Sequence, residues 1–220
     1  MNTSGMDGLA FKTVLAANLH ETKNILAQLM LRLDNMDSHT AAVRDARLLC
    51  QQVSDRMVQM LLLFELQAER LVPRYEAHNP ADFLAELREN ARSWVDGRLR
   101  IDSEEDGAPD YWYFDRSLVE MAMMNALHNA VRHASARLVL RTGVRHGRLL
   151  FEVEDDGAGY PASVLSAQQD EPLPVSQDGT GLGLYFSALI ARAHVNKEQH
   201  GELLLHNGKA GGAVFSLLLP

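Results

Sequence analysis

From Gly8 to Met36, apolar residues recur at every third or fourth position: Leu15, Leu19, Leu26, Leu29, Leu33 and Met36, with Thr22 the one polar member of the seam. That heptad spacing predicts a helix with a continuous apolar stripe. Asn35 to Ser38 reads as a turn. A second seam, Val43, Ala46, Cys50, Val53, Met57, Met60, Phe64 and Gln67, predicts another helix from Thr40 to Glu69. Two long helices joined by a short turn make an antiparallel hairpin. Further apolar residues flank the seams: Ile25 and Met30 on one helix, Leu49, Leu61 and Leu63 on the other. A single hairpin cannot bury them all. A second copy can, which predicts a homodimer built as a four-helix bundle.

After Leu71 to Arg74, with its Pro73, the pattern changes to short alternating elements. Asn79-Pro80 has the form of an N-cap followed by proline at the first helical position, and predicts a helix running to Trp94. Arg98 to Ser103 and Tyr111 to Phe114 read as strands, and Asp115 as the cap of a helix over Arg116 to His133. Arg137 to Arg145 and Arg148 to Asp155 alternate around His146-Gly147, as a hairpin does. Tyr160 to Asp178 has no periodicity and reads as a loop. A helix from Gly181 to His194 and strands at Glu202 to His206 and Ala213 to Leu219 close the chain. The predicted fold class is α+β: a helical hairpin over residues 8–70, then an α/β sandwich over residues 75–220.

Composition narrows the function classes. The chain is 46% hydrophobic, enough for a core, and its longest apolar run, around Met60 to Phe64, is far short of a membrane span. Met1 to Phe11 lacks the basic-then-apolar order of a signal peptide. Cys50 is the only cysteine, which fits a reducing cytoplasm and a small core residue. The net charge of −8 argues against nucleic acid as a partner. No Cys-x-x-Cys pair or histidine cluster suggests a metal centre.

Four stretches carry candidate chemistry. On the first helix His20, Glu21 and Asn24 place an imidazole, a carboxylate and a carboxamide within one turn, as either a nucleophile site or a chance polar cluster. His20 follows the seam residue Leu19 and should lie on an accessible flank. Asn125 and Asn129 share a face of an otherwise apolar helix, either as structural carboxamides or as ligands to a hydrated Mg²⁺ and phosphate oxygens. Asp155-Asp156-Gly157-Ala158-Gly159 ends a strand, as an acidic turn or as a site for an exocyclic amine such as that of adenine. Gly179-Thr180-Gly181-Leu182-Gly183 opens a helix and can present N–H groups to phosphate. It matches neither a Walker A loop nor a dinucleotide-binding fingerprint.

In this order the motifs resemble those of two-component histidine kinases with a GHKL-type ATP-binding domain. Asn125 to His133 resembles the N box, Asp155 to Gly159 the G1 box, Gly179 to Leu184 the G2 box, and His20 to Asn24 the H box. Gly211-Gly212 with Phe215 to Pro220 resembles the family's closing strand. The resemblance implies roles. His20 is phosphorylated, Glu21 helps remove its proton, and Asn24 positions water when a partner's aspartate is dephosphorylated. Asn129 ligates Mg²⁺, with Asn125 and Arg132 toward the phosphates. Asp155 reads the adenine amine, and Gly157 and Gly159 line the base pocket. Gly179, Thr180, Gly181, Leu182 and Gly183 form the phosphate loop. ATP and Mg²⁺ are the implied cofactors, and a response regulator receiver domain the implied partner.

The chain departs from the family pattern in places. Ile25-Leu26 stands where Pro-Leu is usual, so the first helix should be less kinked. No phenylalanine lies between Tyr160 and Gly179, so the F box is missing. No sensor, transmembrane or linker segment precedes the hairpin, which implies a signal from a separate sensor or from the phosphorylated partner. Two rival readings follow. One is a histidine phosphotransferase relaying phosphate through His20, with the ATP domain as scaffold. The other is an anti-sigma-type serine kinase, which would have Glu where Asn125 stands.

Overall fold

The structure is a computed structural model that describes residues 72–95, 97–166, 182–209 and 211–220, together with Thr22, Leu26, Gln28, Leu29, Ala46, Cys50, Val53 and Met57. The chain divides into two compact units, residues 1–71 and 72–220. In the first, the described positions are all helical. Cys50 is buried, and Leu26 and Ala46 pack against it.

In the second unit, the elements in chain order are β1 (Glu76–His78), α1 (Pro80–Ser93), β2 (Arg100–Asp106), β3 (Trp112–Phe114), α2 (Arg116–His133), β4 (Arg137–Arg145), β5 (Arg148–Asp155), α3 (Ala162–Leu165), α4 (Leu182–Ala193), β6 (Val195–Asn196), β7 (Gln199–His200), β8 (Glu202–Asn207) and β9 (Ala213–Leu219). A five-stranded sheet runs β2-β4-β5-β9-β8, with β2 parallel to β4 and the other pairs antiparallel. The helices α1, α2 and α4 pack on it. Strand alternation explains the core. On β5 and β9, Leu149, Phe151 and Val153, and Phe215, Leu217 and Leu219, turn to the helices and are buried. Phe83 of α1 and Phe114 of β3 meet Phe151 edge-on, with ring centroids 5.2 and 5.7 Å away.

Local chemistry sets the boundaries. The Asn79 side chain accepts from the N–H groups of Ala81 and Asp82, and Pro80 fills the first helical position of α1. His146 and Gly147 both have positive φ, 52° and 74°, which closes the β4–β5 hairpin in the turn that matches strand twist. The strand expected over Arg98 to Ser103 instead runs from Arg100 to Asp106. Arg98 is still in a turn, bonded to the Val95 carbonyl at 2.8 Å. Pairing with β4 up to Asp106↔Gly143 carries the strand past three acidic residues whose propensity argues against it. The described part of the loop expected over Tyr160 to Asp178 contains the short helix α3. Among the described residues, no helix is long and apolar enough to cross a membrane.

Candidate functional site

The site begins at the end of β5. Asp155 is buried, 6% exposed. Its Oδ1 accepts from Gly157 N at 2.8 Å and from Ala213 N, on β9, at 3.2 Å. Among the described residues Oδ2 accepts no hydrogen bond. A carboxylate held through one oxygen leaves the other able to accept from a further donor.

The next residue does different work. Asp156 reaches back to the end of α2, where Oδ1 accepts from Ser135 N at 2.8 Å and Ala136 N at 3.0 Å. These N–H groups, that of Ala136 foremost, hold its carboxyl below the usual range. Gly157 lies so close to α2 that a Cβ would fall 2.3 Å from the His133 carbonyl oxygen. The loop after β5 is thereby fastened to the C-terminal end of α2.

Tyr160 completes the loop. Burial, aided by the negative charge of Asp155, pushes its phenol well above the usual range, so it stays neutral.

The helix α2 carries the carboxamides. Asn125 is half-buried and faces α4, where its Nδ2 donates to Ser187 Oγ at 3.4 Å. Ser187 is 0% exposed and donates in turn to the Gly183 carbonyl at 3.0 Å. A Cβ on Gly183 would lie 2.2 Å from Asn125 Oδ1, so the glycine lets the two helices approach. The carboxamide of Asn125 is thus part of the α2–α4 contact. Asn129, one turn on, is exposed, as is Arg132. A single carboxamide oxygen suits a hydrated Mg²⁺ that takes its other ligands from water and phosphate. Among the described residues, no group of three or more His, Cys, Asp or Glu side chains could hold a metal ion.

The structure therefore brings Asp155, Gly157 and Gly159 together on one loop, joins that loop to the end of the helix bearing Asn125, Asn129 and Arg132, and sets Gly183 against Asn125. Leu182 begins α4, with its side chain outside the described residues. His20, Glu21, Asn24, Gly179, Thr180 and Gly181 also lie outside them. Sequence reasoning missed Asn207 at the end of β8, which binds the backbone of Tyr160. The Asn207-Gly208 dipeptide marks a turn, but no local signal shows what lies across the sheet from it.

Residues 114–220 match the family described as histidine kinase-, DNA gyrase B- and HSP90-like ATPase. The sensory histidine kinase/phosphatase NtrB of Azospirillum brasilense is 26% identical over 94% of this chain and 55% of its own length. AtoS of Escherichia coli, a signal transduction histidine-protein kinase, is 31% identical over 57% of this chain and 20% of its own. AfsQ2 of Streptomyces coelicolor, of the same description, is 29% identical over 60% of this chain and 24% of its own. The chain thus spans from a fifth to little more than half of these curated relatives. Among solved structures, full-length ShkA in complex with AMPPNP superposes with a TM-score of 0.68 at 20% identity, over 94% of this chain and 45% of that one. The histidine kinase AdeS of Acinetobacter baumannii gives 0.60 at 20% identity, over 90% and 95%. The chain thus has the fold of these solved histidine kinases, and its residues 114–220 carry the match to the histidine kinase-, DNA gyrase B- and HSP90-like ATPase family.

Proposed function

We propose that the chain is an ATP-dependent protein histidine kinase that binds Mg·ATP in residues 75–220 and autophosphorylates on His20 of a hairpin over residues 8–70. It then passes the phosphoryl group to an aspartate of a response regulator receiver domain. The observation that carries the reading is Asp155, buried at the foot of the α2 helix with Oδ2 accepting no hydrogen bond among the described residues. In this reading Oδ2 accepts from the adenine amine, and Gly157 and Gly159 line the base. Asn129 would offer its oxygen to Mg²⁺, and the metal's charge would stabilise the γ-phosphoryl group. Asn125 and Arg132 are directed toward the phosphates, and the loop from Gly179 to Gly183 cradles them. The neutral His20 imidazole attacks phosphorus in line; the bond to the β-phosphate oxygen breaks, ADP leaves, and Glu21 takes the ring proton. Asn24 serves the reverse traffic, positioning water to dephosphorylate the partner.

The hairpin and its dimer have support in the first unit. Leu26 and Ala46, members of different seams, both pack on Cys50. Leu29 and Val53, also seam residues, are each 44% exposed in the single chain, as expected of a stripe completed by a second copy. The cytoplasm is the setting this reading requires.

A phosphotransfer relay with a non-catalytic ATP domain is the lesser alternative, because residues 114–220 match an ATPase family and the similar proteins are described as histidine kinases. Incubation with γ-labelled ATP and Mg²⁺ tests the choice. Acid-labile, base-stable label is expected on the wild type and none on His20→Ala. Label that survives in the variant moves the phosphosite, and a wild type that neither binds ATP nor takes label leaves the relay.

A further inference from the structure

The loop that holds Asp155 is not self-supporting. Beyond Gly159 its backbone is gripped from β8 by one side chain. Asn207 Oδ1 accepts from Tyr160 N at 2.7 Å, and Asn207 Nδ2 donates to Tyr160 O at 3.1 Å. A carboxamide that meets both the N–H and the C=O of one residue imitates a strand pairing, and it fixes the peptide planes on each side. Gly159 has φ +80°, and a Cβ there would lie 2.8 Å from Asn207 Cγ and Oδ1. The grip therefore depends on glycine at that position.

The geometry reaches the other end of the loop as well. Asn207 pairs across the sheet with Ala213, and Ala213 N is one of the two donors to Asp155 Oδ1. The β8–β9 pair thus holds both the carboxylate that begins the loop and the peptide that ends it.

We propose that Asn207 is a positioning residue of the nucleotide site: it sets the Gly159–Tyr160 backbone at the distance from Asp155 that admits an adenine ring. This rests on the reading of residues 155–160 as the base site. Asn207 touches no reacting atom; it acts through the loop. Its loss should therefore weaken recognition of the base rather than the attraction of phosphate, which other residues supply.

Calorimetric titration of the full chain with ADP and with GDP tests this. In Asn207→Ala, ADP affinity should fall about tenfold, the scale of one to two net hydrogen bonds. The weaker GDP binding should stay as in the wild type, so the ADP-over-GDP preference drops in the same proportion. A residue that merely stabilised the fold would lower both affinities together. ADP binding within about twofold of wild type in a folded variant overturns the proposal. If Asn207→Ala lowers the melting temperature of the free protein, Asn207→Asp is compared instead. It keeps the acceptor for Tyr160 N–H, lacks the donor, and should lose about threefold in ADP affinity; no loss there overturns the proposal too. A wild type that binds no ADP removes the base site itself, which is a different result from a wild type and variant that bind alike.

Discussion

The imidazole of His194 accepts the backbone N–H of Asp115 on Nε2 at 3.1 Å, while its Nδ1 faces the Ile190 carbonyl at 2.8 Å. A nitrogen that accepts from an N–H carries no proton, so the proton is on Nδ1 and the ring is neutral. Asp115 in turn caps α2 through Leu118 N at 3.1 Å and accepts the N–H of Arg74 at 2.8 Å. One ring thereby ties the end of α4 to the start of α2 and to the chain entering the domain.

A pH dependence follows from that arrangement. Burial, with His194 at 0% exposure, lowers its pKa below the usual 6.5; the Ile190 carbonyl and the charge of Asp115 pull upward and do not prevail. The unfolded chain takes up the proton near pH 6.5, and the folded chain only at lower pH. Stability from the neutral ring is complete above the unfolded value and is lost as pH falls through the folded one. The slope contributed by one group cannot exceed about 1.4 kcal/mol per pH unit. Melting temperature should be level from pH 8 to 7 and fall below 6.5. In His194→Gln the fall between 6.5 and 5 should vanish; its persistence would place the titrating group elsewhere.

Gly183 and Asn125 share too little space for a methyl group, with 2.2 Å from a Cβ to Asn125 Oδ1. Gly183→Ala should cost about 1–3 kcal/mol of stability, the usual penalty of overpacking a helix contact. Removing the obstructing side chain should return part of it: Gly183→Ala with Asn125→Ala should be more stable than the sum of the two single changes predicts. Urea denaturation of the four proteins measures the coupling. Strict additivity would mean that the helices part without regard to Asn125.

The parts legible in the sequence were those fixed by neighbours along the chain. Asn79-Pro80 announces α1, and His146-Gly147 announces the β4–β5 hairpin, because capping and turn geometry are local. The strands β1, β6 and β7 were not legible, since two or three residues of mixed polarity give no apolar or aromatic run of the kind that marks Trp112–Phe114. The acidic end of β2 was hidden because only its partner β4 makes it a strand. At the site, the run from Asp155 to Gly159 showed a turn and a carboxylate. That Asp156 serves α2 while Asp155 is held by β9 depends on residues 20 and 58 positions away, at Ala136 and Ala213. The same holds for Asn207, 47 positions from Tyr160.

The sheet also carries a buried acid that the nucleotide reading does not use. Glu152 is 5% exposed; it accepts from Ser216 Oγ at 2.8 Å and from Arg141 at 3.1 Å. Arg141 also meets Glu104 and Glu154, and this company raises its pKa still further despite partial burial. Glu152→Ala should cost about 1–3 kcal/mol, because it leaves the buried Ser216 hydroxyl without its acceptor. Glu152→Gln keeps that acceptor and should cost less. Chemical denaturation of both variants ranks them, and an equal loss would assign the effect to charge rather than to the Ser216 bond.

Asp155→Asn separates the two oxygens of the carboxylate. Gly157 N and Ala213 N both donate to Oδ1, so a carboxamide placed with its oxygen there satisfies both. The amino group then takes the position of Oδ2. The loop should keep its conformation, and the melting temperature of the free protein should barely move. An adenine amine approaching that position would meet a donor in place of an acceptor, and two donors facing each other leave both unpaired. The loss should be about tenfold or more in ADP affinity, the cost of at least one unmade buried hydrogen bond. Asp155→Ala, by contrast, strips the Gly157 and Ala213 amides of their acceptor and should lower stability and binding together. If Asp155→Asn binds ADP as the wild type does, Oδ2 does not face the base, and the ligand must enter from another side of the loop.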